Sequence, residues 1–198
     1  MAEMAEVMLV ALDIGNVCVQ LHVEQVVSGF GFAPGKPLPL PAEKIIRDFN
    51  LGRISAEEFI DEVKKITGFS ARDIVDIWNS EIGGPVPGMT EAVRHYASLG
   101  VEFVFLSDTN DLHMAAVRRT LPFANLVKDA VLSQVVGALK PDPAMFLAFE
   151  RKHGVPDLYF DDLEKNVAGA AARGWNAVRF TGTEIFRESV DKILAGRL

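Results

Sequence analysis

Val7-Met8-Leu9-Val10-Ala11-Leu12-Asp13-Ile14-Gly15-Asn16-Val17 is the stretch on which the fold of this chain turns. It is almost wholly apolar and breaks at an Asp followed by a Gly, the pattern of a strand buried on both faces of a parallel sheet. Shorter apolar runs recur at Val101 to Leu106, Ala130 to Leu132, Leu158 to Phe160 and Ala177 to Phe180. Between them lie segments of helical periodicity that close on glycine: Thr90 to Leu99 before Gly100, Pro143 to His153 before Gly154, and Glu164 to Arg173 before Gly174. Strands and helices alternating in this way predict an α/β protein with a doubly wound parallel sheet, in which ligands bind beyond the carboxyl ends of the strands.

From Val23 to Pro85 that rhythm is broken. Ser55-Ala56-Glu57-Glu58 is a capping box opening an amphipathic helix that runs to Gly68, and Ser70-Ala71-Arg72-Asp73 opens another carrying Ile74, Ile77 and Trp78. These features predict a helical insertion. Its Gly- and Pro-rich part from Ser28 to Pro37 is expected to be loop, and Gly83 to Gly88 a return linker. A last helix is expected from Glu184 to Leu198.

A chain of 198 residues with 49% hydrophobic and 24% charged residues can bury a core, which excludes disordered and fibrous classes. Its net charge of -7 argues against nucleic acid, whose phosphates need clustered Lys and Arg. The start, Met1 to Val17, lacks a basic n-region and its apolar run is broken by Asp13, so neither a signal peptide nor a membrane span is expected. The lone Cys18 fits a reducing, cytoplasmic setting, and reads as a small buried strand residue rather than a reactive thiol.

Four polar segments follow apolar strands or precede helices: Asp13-Ile14-Gly15-Asn16-Val17, Ser107-Asp108-Thr109-Asn110, Lys140-Pro141-Asp142-Pro143, and Asp161-Asp162 with Asn166. Any one alone reads as a helix cap or a solvated strand end. Four in this order converge on one edge of the sheet.

On these residues the chain resembles the haloacid dehalogenase (HAD) superfamily, whose members are mostly magnesium-dependent phosphatases despite the name. It is most similar to the branch with a small helical cap after the first strand, and to the sugar-phosphate phosphatase group that includes α-glucose-1-phosphate phosphatases, whose first motif also reads Asp-x-Gly-Asn-Val. The resemblance implies a Rossmann-like core from residues 1–17 and 86–198 with a cap at 18–85. It implies that Asp13 attacks phosphorus and becomes an aspartyl-phosphate that water hydrolyses. Mg²⁺ would be held by Asp13, the Gly15 carbonyl and Asp162. Ser107 would bind a phosphoryl oxygen with the adjoining Asp108 and Thr109, and Lys140 would offset the charge of nucleophile and phosphate. Asp161 stands behind as a weaker metal candidate, because neighbouring residues on a strand face opposite sides. Asn166 would brace Asp162.

One departure limits the resemblance. Most phosphatases of the superfamily carry a second Asp two residues after the nucleophile as general acid and base, and here that position is Gly15. The glycine keeps a backbone carbonyl and loses the proton donor. Three outcomes stay open: a sugar phosphate with a good leaving group, carbon–halogen hydrolysis of the 2-haloacid dehalogenase type, or a slow or non-catalytic binding protein of the same fold. Asp108 stands where relatives usually carry Asn, and its charge opposes phosphate unless it is paired or caps the following helix. His113 and His22 read first as packing residues, with a surrogate acid as the sharper alternative. Phe49, Phe59 and Trp78 read as core aromatics of the cap. The leading expectation is a magnesium-dependent phosphatase for a small phosphorylated metabolite, with the cap closing over the site, no nucleic-acid or membrane partner, and the oligomeric state open.

Overall fold

A computed structural model describes residues 7–196. The first six residues of the leader reading, and Arg197 and Leu198 of the expected last helix, lie outside the described residues. Strand β1 (Leu9–Leu12) is followed by β2 (Val19–Leu21) and four helices, α1 (Val23–Gly29), α2 (Leu40–Asn50), α3 (Ala56–Thr67) and α4 (Ala71–Asn79). The chain returns through β3 (Ile82–Pro85) into α5 (Met89–Ser98), β4 (Glu102–Ser107), α6 (Asp111–Thr120), β5 (Val127–Leu132) and the single turn α7 (Ser133–Val136). It ends with α8 (Pro143–His153), β6 (Leu158–Asp161), α9 (Glu164–Ala171), β7 (Ala177–Arg179) and α10 (Thr183–Ala195).

The main sheet has the order β5-β4-β1-β6-β7, and every neighbour pairs in parallel. β1 is central, so both its faces are covered. Val10 and Leu12 point into a cluster with Phe103, Phe160 and Phe186, whereas Ala11 faces one built around Phe146, Phe149, Tyr159 and Trp175. This alternation is why the run from Val7 has no polar residue before Asp13. The doubly wound α/β reading holds. Helix α8 keeps the bounds that its sequence implies, with Asp142 accepting from the Ala144 amide and Pro143 in the first turn.

Helices α1 to α4 bury a cluster of their own around Val26, Phe49, Phe59, Ile74 and Trp78. Phe59 stacks on Phe49 with centroids 4.4 Å apart and tilts against Trp78 at 4.8 Å. Helix α3 starts with both halves of the Ser55/Glu58 capping box and stops at Gly68 in the left-handed region. Two features differ from the sequence reading. The segment expected as a plain return linker, Gly83 to Gly88, overlaps a strand, Ile82–Pro85, paired antiparallel with Val19–Leu21. Its Gly-Gly-Pro composition hides a strand because the ladder uses backbone groups alone. The loop expected from Ser28 starts after Gly29, since α1 carries Ser28 and Gly29 as its last two residues.

A polar seam joins the insert to the sheet. The fully buried Asn110 donates from Nδ2 to Asn50 Oδ1 (2.8 Å), and its Oδ1 accepts Trp78 Nε1–H (3.3 Å) and the His113 amide (3.0 Å). Ser133 Oγ donates to the Asn50 carbonyl at 2.6 Å. Just past Asn50, Gly52 lies at φ 65 with no room above it: a Cβ there would stand 2.0 Å from the Gln134 carbonyl oxygen. Gly52→Ala is therefore expected to lower the unfolding free energy by about 2–4 kcal/mol in a urea titration. Gly68→Ala, at φ 75 with nothing within 4 Å, is expected to cost only about 1 kcal/mol.

Candidate active site

The four segments meet at the carboxyl edge of the sheet. Asp13 is the first residue past β1, and its amide donates to the Phe160 carbonyl at 2.9 Å, which ties it to the end of β6. Ser107 closes β4, Asp161 closes β6, and Lys140 comes from the loop before α8. Lys140 is 3% exposed, and its ammonium reaches Asp13 Oδ1 at 2.9 Å, Asp161 Oδ2 at 2.6 Å and the Leu106 carbonyl at 2.9 Å. All three of its protons are thus directed.

Asp161 has no acceptor to spare. Its Oδ1 takes the Leu163 amide (2.9 Å) and Asn166 Nδ2 (3.0 Å), and its Oδ2 takes Lys140 and the Tyr159 hydroxyl. Asn166 therefore braces Asp161, not Asp162 as the sequence reading expected. The cause is the strand pleat: Asp161 points inward with its buried partners, while Asp162 turns toward the opening. Asp162 accepts Asn16 Nδ2 at 3.1 Å on Oδ2, and among the described residues nothing donates to its Oδ1.

Burial pushes Asp13 up to about 6, Lys140 opposes this, and the nearby Asp161 charge adds to it. For Lys140 burial favours the neutral amine, but the surrounding negative charge, Asp13 foremost, more than reverses this and holds its pKa well above the ordinary lysine value. The Tyr159 phenol is likewise pushed far above its usual range by burial, and stays a donor. Carboxylate oxygens of Asp13, Asp161 and Asp162 lie within 4.8 Å of one another, facing a single ammonium. Such an excess of negative charge on hard oxygen ligands suits a divalent cation. With Asp161 saturated, Asp13 and Asp162 are the carboxylates able to hold one. Among the described residues nothing donates to the Gly15 carbonyl, so it too remains an open oxygen.

Ser107 is 3% exposed and neighbours the Asp13 carboxylate, whose charged form it favours. Asp108 turns its Oδ1 to the Lys140 amide at 2.9 Å, and burial raises its carboxyl above the usual range. It does not cap α6; Asn110 does, accepting from the His113 amide. The Thr109 amide donates to Ser133 Oγ at 2.9 Å, so it is turned into the seam and not offered to a ligand.

His113 belongs to the seam too. Its ring stacks on Trp78 at 4.6 Å, its Nε2 lies 3.1 Å from the Trp78 carbonyl, and burial lowers its pKa to about 4. It is neutral at pH 7 and committed to packing. Cys18 donates to the Asp13 carbonyl at 3.2 Å, and burial raises its pKa well above the ordinary thiol value, so it is no nucleophile. The His22 ring lies over Gly83.

Two residues near the site carried no assignment in the sequence reading. Asn16, in the left-handed region at φ 53, links the turn after β1 to Asp162 and accepts the Leu21 amide at 3.2 Å. Its signal was an Asn in the turn after the strand, the residue type that next to Gly most readily adopts the left-handed region. Tyr159 sits two residues before Asp161 and so on the same face of β6. Over Gly15 the space is taken: a Cβ there would lie 2.7 Å from Leu21 Cδ1. An apolar side chain thus fills the place where an acid would stand.

A parallel α/β sheet with an acidic, lysine-bridged centre at its carboxyl edge and a helical insert after the first strand defines the class. That fold is the one found in HAD-family enzymes. A HAD family enzyme from Bacteroides thetaiotaomicron, solved as a complex with magnesium and inorganic phosphate, superposes with a TM-score of 0.74 at 21% identity, over 89% of this chain and 96% of that one. A HAD-like family hydrolase from Porphyromonas gingivalis gives 0.77 at 20% identity over 95% and 98%. The L-2-haloacid dehalogenase from Xanthobacter autotrophicus, solved with chloropropionic acid covalently bound, gives 0.59 at 13% identity over 88% and 77%. No protein-family model and no curated protein matches the chain. Among the described residues no helix is long and apolar enough to cross a membrane.

Lys140→Met removes the cation that bridges two buried carboxylates. It is expected to cost about 3–5 kcal/mol at neutral pH. Without the ammonium the folded-state pKa of Asp13, already raised by burial, rises further above its unfolded value. The penalty therefore develops as pH rises above the ordinary carboxylate range and disappears below it. Urea unfolding across the acid-to-neutral range should show the variant converging on the wild type at low pH.

Proposed function

We propose that this protein is a magnesium-dependent phosphomonoesterase acting on a small phosphorylated metabolite, best a sugar phosphate with a good leaving group. The observation that carries the reading is the Lys140 ammonium held between Asp13 and Asp161, with oxygens of Asp13 and Asp162 left open beside it. The magnesium and phosphate complex of the similar Bacteroides enzyme supports it. When bound by Asp13, Asp162 and the Gly15 carbonyl, Mg²⁺ would neutralise charge between carboxylate and phosphate.

The residues divide the work. An Asp13 oxygen attacks phosphorus, the bond to the leaving oxygen breaks, and that oxygen takes its proton from water. Water then adds to the aspartyl-phosphate, releasing phosphate and restoring the carboxylate. Lys140 stabilises charge on Asp13 and on the phosphoryl group, while Asp161, Tyr159 and Asn166 hold Lys140 and its partner oxygens in place. Ser107 binds a phosphoryl oxygen. Leu21 over Gly15 supplies no proton, so substrates whose oxygen leaves readily, such as anomeric phosphates, are favoured over alkyl phosphates. The helical insert, residues 18–85 in this reading, covers the site and selects the substrate.

Phosphate release from a panel of phosphorylated metabolites, with and without Mg²⁺, tests the reading. Asp13→Asn is expected to lower turnover by at least about a thousandfold. Activity that survives this change, or removal of the metal, overturns the mechanism. Metal-independent chloride release from 2-chloropropionate would move the protein to the dehalogenase class, and silence on the whole panel with a co-purifying partner to a binding role. Independently of turnover, Mg²⁺ at about ten times its Kd should stabilise the wild type by about 1.4 kcal/mol in thermal melts, and Asp162→Asn should lose that shift.

A further inference from the structure

The helical insert encloses a cavity whose lining shares no residue with the Asp13 centre. This cavity of about 230 Å³ lies among its four helices, walled by side chains such as Val26 of α1, Ile46 of α2, Val63 of α3 and Trp78 of α4. A dry apolar cavity of roughly 150 Å³ already accommodates benzene. Of the polar residues on this wall, Thr67 spends its hydroxyl on the Val63 carbonyl at 2.9 Å. The other is Glu81.

Glu81 is fixed by its backbone, the amide donating to the Trp78 carbonyl (3.3 Å) and the carbonyl accepting the His22 amide (2.8 Å). Its side chain keeps 19% exposure, placing it at a mouth of the cavity rather than behind a sealed wall. Among the described residues no hydrogen-bond donor reaches its carboxyl oxygens. The nearest ionisable neighbour, His113 Nε2, is 3.6 Å away, is neutral at pH 7, and lies 3.1 Å from the Trp78 carbonyl. The other imidazole at this corner, His22, lies over Gly83. Burial accordingly raises Glu81 to about 7, with no opposing cation.

An uncompensated carboxylate on an apolar wall is costly, and a ligand cation removes that cost where a neutral donor removes only part of it. We propose that this cavity binds a small amphiphilic amine, its apolar body among the four helices and its ammonium against Glu81. The site is separate from the Asp13 centre and stands whether or not that centre turns over phosphate.

Calorimetric titration of the full chain with 2-phenylethylamine, 2-phenylethanol and phenylacetate separates the contributions. The amine should bind one saturable site about tenfold tighter than the alcohol, and phenylacetate should not bind measurably. Because pairing with an ammonium draws the Glu81 proton off, amine binding at neutral pH should release about half a proton, read from heats in buffers of different ionisation enthalpy. Glu81→Gln should erase the preference for amine over alcohol and keep the alcohol. Val63→Phe and Ala42→Leu, each adding bulk to the cavity wall, should weaken both ligands. The proposal is overturned by absence of saturable amine binding, by equal affinity for amine and alcohol, or by amine binding undiminished in Glu81→Gln or in both filled variants.

Discussion

The Lys140 ammonium is the interaction on which the edge of the sheet depends. Three carboxylates gather there, two of them buried, and Coulomb repulsion among them in a low dielectric would drive the strand ends apart. One buried cation with all three protons directed joins β1, β4 and β6 through Asp13, the Leu106 carbonyl and Asp161. The arrangement satisfies the interior without neutralising it. What remains is negative charge at the opening, on the two residues, Asp13 and Asp162, that keep an oxygen free.

Much of this was legible in the sequence because it is local. A parallel strand buried on both faces must be apolar, so a carboxylate at its end stands out, and the same logic marks Ser107 and Asp161. Lys140 was legible only by resemblance, since a lysine before a Pro-initiated helix is otherwise a surface residue. Pairings that depend on side-chain direction were not readable. Whether Asn166 reaches Asp161 or Asp162 turns on the pleat of one strand end, and Tyr159 joins the centre only because it shares a face with Asp161. The β2–β3 ribbon was hidden because backbone pairing tolerates the Gly-Gly-Pro of its second strand.

The seam carries a consequence for how the insert relates to the sheet. Asn110, three residues past Ser107, is fully buried and bonded to both Asn50 and Trp78, so the loop bearing Ser107 and the insert share a support. Gly52 at the same junction lets backbone approach backbone where no side chain fits. Motion of the insert must therefore break Asn110's bonds in a buried place, where an unmade hydrogen bond is expensive. Motion confined to the mouth avoids that cost and leaves the Ser107 loop undisturbed.

Burial raises the carboxyls of Asp13 and Glu81 by the same physics, and their surroundings resolve it differently. Asp13, near 6, has an ammonium at 2.9 Å and neighbouring oxygens that share its charge, so its remaining deficit suits a cation held among several ligands. Glu81, near 7, has an apolar wall and a neutral imidazole, so whatever meets its deficit must bring its own cation on an apolar body. A compact, strongly hydrated divalent ion suits the first environment and is excluded from the second, since the apolar wall offers no ligands to replace its water. An alkylammonium reverses that preference: the cavity wall would accept its hydrocarbon, whereas the Asp13 centre already holds the ammonium of Lys140. The two environments would therefore favour different cations by what surrounds the carboxylate, not by the carboxylate itself.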